Sequence, residues 1–557
     1  MPTARPVALS ENYYLANFHR LAAFVRDTYG DILEPAERLW YESVTDTSES
    51  AQRLYIRLLT RKGSVFRLSR LDYPEIGDLQ PAACELASQG LADIAPPESL
   101  ADLIRTFTKP ELLELLPIPV TGSLPRADLV EQVLSSERAV CAAHTQILQQ
   151  ADSWITLAGH QYWTIYRLSF FGNLYQDSSE FVLSELGTVQ YESYPLDASA
   201  RAFVSRHQLE AHLRYFECES LLDTIDFRDA QQLSALVECL PAPITGDDHL
   251  QRRIDRFRNR IARQLERLGH QSAALELYAA SAHPPARERR VRIHLASEDP
   301  VSAGQLLELM RENPFNDAEA QVADRLQRKL DRAIGRATPV RNRYRPDITT
   351  LTLKAADERV ELAACRFYSR FGVCQYSENS LVCAVLGLFI WDIVFHPVEG
   401  VFFNPFQSAP ADFHEPAFST RRHDLLCARF AELRQSSTFH DRVMKACTLH
   451  RGKANPLVRW GRVSDELLTL ALQRIPVDHW QAMFQRILAD TRENTSGFPD
   501  LVLFRDTGDY EFIEIKGPGD VLQQNQLRWM HYFSEHRIPC RVVNIRWPQC
   551  TSSRIDT

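Results

Sequence analysis

Residues 497–520 read GFPDLVLFRDTGDYEFIEIKGPGD, and this segment decides the fold of the C-terminal part of the chain. Two apolar runs rich in β-branched residues, 501–504 and 510–516, flank a short Asp-Thr-Gly-Asp turn, which is typical of a β-hairpin. A helical periodicity over 521–537 and a third β-branched run over 540–547 follow. This order of elements predicts an α/β domain at the C-terminal end.

Three side chains that suit phosphodiester chemistry meet on this hairpin. Asp500 precedes the first strand, and Glu514 and Lys516 lie two residues apart on the second, so that these two share one face. Two carboxylates bind a hard cation such as Mg²⁺ or Mn²⁺, and the Ile515 carbonyl can add an oxygen ligand for one or two ions. A bound cation offsets charge on a phosphodiester, and Lys516 can orient the attacking water. The spacing resembles the PD-(D/E)xK pattern of restriction-enzyme-like nucleases.

The motif alone leaves other interpretations open. Pro-Asp and Glu-x-Lys pairs arise by chance, and an alternating Glu-Ile-Lys strand is often only a solvated sheet edge. A junction resolvase, an RNA-processing nuclease and a DNA-binding scaffold without activity are the rival functions. Cleavage of a 5′ flap, a four-way junction and a structured RNA would separate them.

Composition narrows the class of protein. The net charge of −9 argues against indiscriminate coating of nucleic acid, although it allows local basic patches. The 11 cysteines are scattered without a CxxC pair, which predicts reduced thiols rather than a disulfide framework or a structural zinc site. The most apolar run, 381–395, is too short for a membrane span and contains Asp392, so we predict a buried helix there and no membrane partner.

The chain upstream of this domain is predicted to be mostly helical. Apolar residues recur at helical spacing before residue 90, and Thr108 to Pro110 and Pro125 mark the starts of two helices of a SAP-like pair. Between 150 and 340, helix follows helix at the scale of tetratricopeptide-like hairpins. We therefore predict a multidomain protein whose N-terminal two-thirds is mostly α-helical, with four parts: a DNA-binding helical region at 1–75, a SAP-like domain at 76–150, a TPR-like solenoid at 151–345 and an α/β restriction-endonuclease-like domain at 346–557.

One N-terminal stretch mixes basic and apolar residues in a way that suits phosphate contact. Its apolar side can pack while its basic side faces a DNA backbone, although most such charge runs are simply solvated. The predicted DNA-contact residues of this stretch are Arg57, Arg61, Lys62, Arg67, Arg70 and Tyr73.

Several longer segments carry a resemblance to a known family. KGPGDVLQQNQLRW at 516–529 resembles the VRR-NUC nuclease family, and YSENSLVCAVLGLFIWDIVF at 376–395 resembles a helix of the Fanconi-associated nucleases that carries a further acidic ligand. The resemblance extends to 54–76 and 170–187 and to the SAP-like and solenoid regions, so that it covers nearly the whole chain.

The resemblance implies roles residue by residue. Glu378 would be a third acidic metal ligand beside Asp500 and Glu514, with Lys516 as the catalytic lysine. Arg492 would lie near the 5′ end of the DNA. Gln526 matches a glutamine on the helix after the motif and would be a further DNA contact. A basic residue that precedes this glutamine in animal members is Asn525 here, which puts an identical 5′-phosphate pocket in doubt.

The implied activity is structure-selective, metal-dependent cleavage of DNA. Branched or flapped DNA would be the substrate, with 5′-flap endonuclease and 5′-to-3′ exonuclease action in interstrand crosslink repair. The ubiquitin-binding zinc finger of animal members has no counterpart in the sequence, so ubiquitin-directed recruitment is not expected and a microbial source is favoured. The expected location is the nucleoid of a bacterial cytoplasm, or the nucleus if the source is eukaryotic.

Overall fold

Contacts within the computed structural model divide the chain into two units, residues 1–188 with 196–213 and residues 189–195 with 214–557. The finer division into four parts stays a prediction. The structure describes residues 12–118, 124–177, 181–182, 186, 188–196, 201–337, 344–354 and 358–547.

The first unit is mainly helical, as predicted. Its helix Lys109–Leu115 begins where the sequence predicts, because Thr108 and Glu111 form a reciprocal capping box and Pro110 occupies the first turn. The loop around Gly122 lies outside the described residues. The helices of this unit are Tyr13–Tyr29, Pro35–Thr45, Glu49–Leu59, Leu79–Ser88, Leu100–Thr106, Lys109–Leu115, Arg126–Leu134, Arg138–Gln150 and His160–Phe171; the helix Arg206–Ser220 continues into the second unit.

A small antiparallel sheet in the first unit was not predicted. Strands β1 (Val65–Arg67) and β2 (Ala92–Asp93) both pair with β3 (Trp154–Leu157), giving the order β1-β3-β2. Strands of two to four residues are too short to show a period-2 pattern, and the paired strands lie more than sixty residues apart in sequence.

Successive helices of the second unit pack each against the next, as the hairpin pattern predicts. The helix Asp248–Arg267 shows why: Leu250, Ile254, Phe257 and Ile261 follow helical spacing and are all buried. These helices are Ala230–Glu238, Asp248–Arg267, Gln271–Ala279, Ala286–Ala296, Pro300–Glu312 and Asp317–Ala333.

A five-stranded mixed sheet forms the centre of the C-terminal part, in the order β4-β8-β7-β6-β5. The three predicted strands are confirmed, and β4 and β5 were missed by the sequence analysis. β8 is parallel to β4 and β7, whereas β6 is antiparallel to both its neighbours. The strands are β4 Ile348–Thr352, β5 Gly372–Tyr376, β6 Leu501–Arg505, β7 Tyr510–Lys516 and β8 Cys540–Arg546.

Gly372 explains how β5 joins this sheet. Its φ of 147° lies in the range that favours glycine, and a Cβ there would stand 2.1 Å from the Phe504 carbonyl oxygen on β6. A larger residue would separate the two strands at the point where their pairing begins.

The apolar run at 381–395 is buried, as predicted, but forms two helices rather than one. Leu381–Phe389 and Trp391–Val394 are separated at Ile390, whose φ of −112° and ψ of 24° leave the helical region. The charge of Asp392 is met by Arg429 at 2.7 Å. No helix in the described part of the chain is long and apolar enough to cross a membrane. The other helices here are Val360–Tyr368, Ala417–Arg421, His423–Leu433, Ser436–Leu449, Asp465–Arg474, Val477–Ala489 and Gln524–Glu535.

The two faces of the sheet differ in character. On one face, Ile513, Ile515 and Val543 form an apolar core with Ala364 and Tyr368 of the helix Val360–Tyr368. On the other face, the alternation of β7 places Glu514 and Lys516, and the helix Gln524–Glu535 covers part of it through stacking of Phe533 on Phe512. The face with Glu514 and Lys516 is called the polar face below.

Candidate active site

Asp500 is fixed at the entry of β6 by the partner strand of its own hairpin. Its Oδ2 accepts a hydrogen bond from the Ile515 backbone N–H at 2.8 Å, and the residue is 8% exposed. Pairing of Leu501 with Ile513 sets this register. The hairpin therefore brings Asp500 beside Glu514, as the sequence predicts.

Glu514 lies deeper, at 1% exposed. Its Oε1 accepts hydrogen bonds from Lys516 Nζ at 2.9 Å and from Gln526 Nε2 at 2.6 Å. Its Oε2 is buried and has no hydrogen-bond partner among the described residues. A buried carboxylate oxygen without a partner is costly, so this atom suits a positively charged ligand.

The raised pKa values of Asp500 and Glu514 also indicate that the pair suits a positively charged ligand. Burial raises the pKa of Asp500 to about 7, with Glu361 and Glu378 adding repulsion. Burial, followed by repulsion from Asp500, raises the pKa of Glu514 to about 8. Two buried carboxyls that resist ionisation together are short of compensating positive charge, and a divalent cation would supply it.

These residues fit a hard divalent cation. Asp500 and Glu514 provide oxygen donors on adjacent strands, and Glu514 Oε2 is free to bind. No three His, Cys, Asp or Glu side chains within the described ranges are gathered closely enough to hold a metal ion together. The two hairpin carboxylates are therefore the assembled part of the site, and a role for the Ile515 carbonyl stays a prediction.

Glu378 lies close to the pair but is held differently. It is exposed, its Oε2 accepts a hydrogen bond from the Tyr376 hydroxyl, and its Oε1 accepts one from Asn379 Nδ2 at 3.2 Å. Its charge contributes to the raised pKa values of both Asp500 and Glu514. To act as a ligand, the Glu378 carboxylate would give up its hydrogen bonds from Tyr376 and Asn379 and bind the cation instead.

Three neighbours of the site were missed by the sequence analysis. Glu361, in the first turn of Val360–Tyr368, raises the pKa of Asp500 more than Glu378 does. Tyr376 binds Glu378, and Asn379 accepts a hydrogen bond from the Phe498 N–H at 3.0 Å. A prediction of strand β5, which ends at Tyr376, would have shown that Tyr376 and Asn379 lie near the site.

Gln526 joins the two charged residues of β7. Its Oε1 accepts from Lys516 Nζ at 3.1 Å and from the Gln523 N–H at 2.9 Å, while its Nε2 donates to Glu514. The sequence analysis predicts Gln526 as a DNA contact. The structure places its amide between Glu514 and Lys516, where it orients both.

Arg492 belongs to a cluster of guanidinium groups around one acid. Glu415 Oε1 lies 3.4 Å from Arg492, 3.1 Å from Arg256 and 3.4 Å from Arg252. The Arg492 side chain is 50% exposed, whereas Glu415 is buried at 7%. Three positive charges share one negative charge, so this surface can attract a phosphate.

In the first unit, the predicted basic stretch separates into exposed and structural residues. Lys62 and Arg61 are exposed, and Arg61 Nη1 donates to the Tyr73 hydroxyl at 3.0 Å. Arg57 bonds Glu75 at 2.7 Å and lies over the Tyr14 ring. The exposed end of the stretch is therefore the part that can reach DNA.

Arg67 departs from the prediction. Its guanidinium is 9% exposed and bonds Asp152 at 2.8 Å and Glu111 at 3.0 Å, with the Phe107 ring 4.0 Å away. Arg70 also bonds Glu111 but remains largely exposed. The Arg67 side chain is buried and its charge is balanced by two carboxylates, so we assign Arg67 a structural role in place of the predicted DNA contact.

Comparison with known proteins assigns this chain to a family. The VRR-NUC domain model matches residues 435–547, and the model described as FAN1, HTH domain matches residues 12–93. A Fanconi-associated nuclease 1 homolog from Pseudomonas aeruginosa is 33% identical over 558 residues, which cover 98% of each chain. This chain belongs to the Fanconi-associated nuclease 1 family. It is therefore a nuclease, of a family whose members generally depend on metal ions.

Other members of the Fanconi-associated nuclease 1 family are more distant. The homolog from Arabidopsis thaliana and the human protein are each 24% identical, matching 96% and 93% of this chain and 67% and 61% of their own lengths. The crystal structure of paFAN1 bound to DNA with a 2-nucleotide 5′ flap and a gap superposes with a TM-score of 0.85 at 32% identity, covering 98% of this chain and all of that one. The family fold thus extends over both units.

Proposed function

We propose that this chain cleaves flapped DNA in a metal-dependent, structure-selective reaction. The proposed activities are 5′-flap endonuclease and 5′-to-3′ exonuclease, acting in interstrand crosslink repair and, in a bacterium, on nucleoid DNA. The observation that carries the proposal is the orphaned Oε2 of Glu514 beside Asp500 and Lys516. The likeness to paFAN1 bound to 5′-flap DNA supports the choice of substrate.

The site residues would have different roles in phosphodiester hydrolysis. Asp500, Glu514 and Glu378 would hold Mg²⁺ or Mn²⁺, which when bound stabilises charge on the phosphate and lowers the pKa of water. Lys516 is 11% exposed and is held by Glu514 and Gln526, and its ammonium would orient the attacking water or offset charge. Gln526 holds the side chains of Lys516 and Glu514 in position through its two hydrogen bonds.

Cleavage of end-labelled DNA tests this proposal. We expect a 5′ flap to be cut near the branch with Mg²⁺ or Mn²⁺, a 3′ flap to be cut much less, and excess EDTA to stop the reaction. Preferred cleavage of a four-way junction would indicate a resolvase, and preferred cleavage of structured RNA would indicate an RNA-processing nuclease. Strong cleavage in EDTA would contradict a metal-dependent reaction.

DNA contacts are proposed on both units, each from its own residues. In the first unit the exposed candidates are Arg61, Lys62 and Arg70, with Tyr73 bonded to Arg61 and Arg57 over the Tyr73 ring. In the second unit the candidate is Arg492 with its neighbouring arginines. These groups would bind phosphates and so position the DNA without reading its sequence.

Replacing Arg61 and Lys62 together with alanine should weaken DNA binding regardless of sequence. Each lost phosphate contact should reduce the slope of log K against log salt by about 0.9 on duplex DNA. Fluorescence anisotropy over a salt series measures this. Arg67→Ala is the matched comparison, since we expect it to lower the melting temperature through the loss of its two ion pairs. An unchanged slope for the double variant would mean that Arg61 and Lys62 are only solvated.

A further inference from the structure

The polar face of the sheet continues past the active site. Parallel pairing places Asn544 of β8 directly beside Lys516 of β7, and Val542 beside Glu514. Paired residues of neighbouring strands point to the same face, so Asn544 and then Arg546 share the face of Glu514 and Lys516. On the next strand, Thr350 pairs with Asn544 and is exposed.

A cavity of about 760 Å³ opens at this end of the sheet. It lies between the turn Gly517–Asp520, which directly follows Lys516, and the end of β8 at Asn544–Trp547. The volume falls within the roughly 300–1,000 Å³ typical of small-ligand sites. It therefore has room for one nucleotide at the end of the strand that carries the proposed catalytic lysine.

The lining offers a partner for the phosphate and for the base of a nucleotide. Arg546 is exposed and forms no ion pair among the described residues, so its guanidinium is available to a phosphate. Asn544 carries an amide for a base edge, whereas Trp547 packs against the apolar core formed by Val543 and Ile545 and only bounds the cavity. Asp520 is the acidic residue of the lining, and its Oδ2 already accepts the Gly517 N–H at 2.9 Å.

The distance between Arg546 and Lys516 indicates which nucleotide of the DNA strand would occupy the cavity. Arg546 lies one strand over and two residues on from Lys516, which is roughly 8 Å at the usual strand spacing and rise. That separation matches a neighbouring nucleotide of the same DNA strand rather than the phosphate being cut.

We propose that this cavity is a subsite for a nucleotide of the scissile strand, with Arg546 bound to the phosphate next to the one that is cut. The inference rests on the proposed function, because it assumes that DNA is cleaved at Asp500 and Glu514. Asn544 holds the attached base through its amide. The subsite fixes the strand on one side of the cut and so sets the register of cleavage.

Neutral phosphate substitution tests this pairing directly. Flap substrates carrying one methylphosphonate at successive positions around the cut are cleaved by the wild type and by Arg546→Gln. We expect one position, adjacent to the cut, to slow the wild type about tenfold or more, as for loss of a charged hydrogen bond. The same substitution should cost Arg546→Gln less than about twofold, because the contact is already lost.

Two controls keep the outcome clear. Arg434→Gln changes an exposed arginine at the end of the helix His423–Leu433 and should show the wild-type profile at every position. Arg546→Lys should recover part of the position-specific effect. Equal penalties in the wild type and Arg546→Gln at all positions would overturn the subsite, whereas failure of the wild type to cut any flap would instead overturn the proposed function.

Discussion

Asp500→Asn should abolish metal-dependent cleavage, by about a thousandfold or more, while flap binding stays within a few-fold. Asparagine keeps an oxygen that can accept the Ile515 N–H, so the hairpin is retained. It removes one negative charge from the oxygen pair that would hold the cation. Single-turnover cleavage with saturating Mg²⁺ or Mn²⁺ measures the loss.

The same substitution should stabilise the metal-free protein at alkaline pH. The folded-state pKa values of about 7 for Asp500 and about 8 for Glu514 lie above those of exposed carboxyls. Such groups favour folding fully at acidic pH, and that contribution is lost as pH rises through the folded pKa. The wild type should therefore lose stability between about pH 4 and 8, and Asp500→Asn should lose less.

Urea unfolding in EDTA at pH 5 and pH 8 checks this expectation. Asp509→Asn is the matched control, since Asp509 lies on the turn of the same hairpin with its side chain 61% exposed. The control should cleave flaps normally and leave the pH dependence unchanged. Lower stability of Asp500→Asn at pH 8 would contradict a strained carboxylate pair, and substantial residual cleavage would remove Asp500 from the site.

Glu378→Gln should lower cleavage at least about a hundredfold at limiting Mg²⁺ without a comparable effect on folding or flap binding. Glu378 is exposed and makes only local hydrogen bonds to Tyr376 and Asn379, so the fold does not depend on its charge. A third carboxylate would help neutralise one or two divalent ions beside Asp500 and Glu514.

The competing role for Glu378 is structural. If its carboxylate only anchors Tyr376, the glutamine variant should cleave at nearly the wild-type rate and melt slightly earlier. A titration of Mg²⁺ separates the two roles, because loss of a ligand raises the concentration needed for half-maximal cleavage. Glu399→Gln, on an exposed loop of the same unit, is the control and should match the wild type.

Features that depend on residues close together in sequence could be predicted, whereas features that depend on residues far apart could not. Helix starts such as Thr108 were predictable because capping involves residues three apart. The hairpin of β6 and β7 was predictable because its strands are joined by a short turn. The strands β4 and β5 were missed because their partners lie more than a hundred residues away in sequence.

The sequence also could not show which charged residues are exposed and which are buried. Arg61 and Arg67 stand six residues apart in one basic stretch, yet the first is exposed and the second is buried between Asp152 and Glu111. The acids that pair with Arg67 come from distant segments, so local pattern alone cannot separate a DNA contact from a structural ion pair.

The sequence by itself determined the chemistry of the hairpin. Strand alternation puts Glu514 and Lys516 on one face, and a tight turn brings Asp500 beside them, because both effects act over a few residues. Only the tertiary structure decided what surrounds this group. Pairing of β5 with β6 brings the Ser377 N–H to the Asp500 carbonyl at 2.9 Å and so carries Glu378 to the site, because sheet register joins segments that the chain keeps far apart.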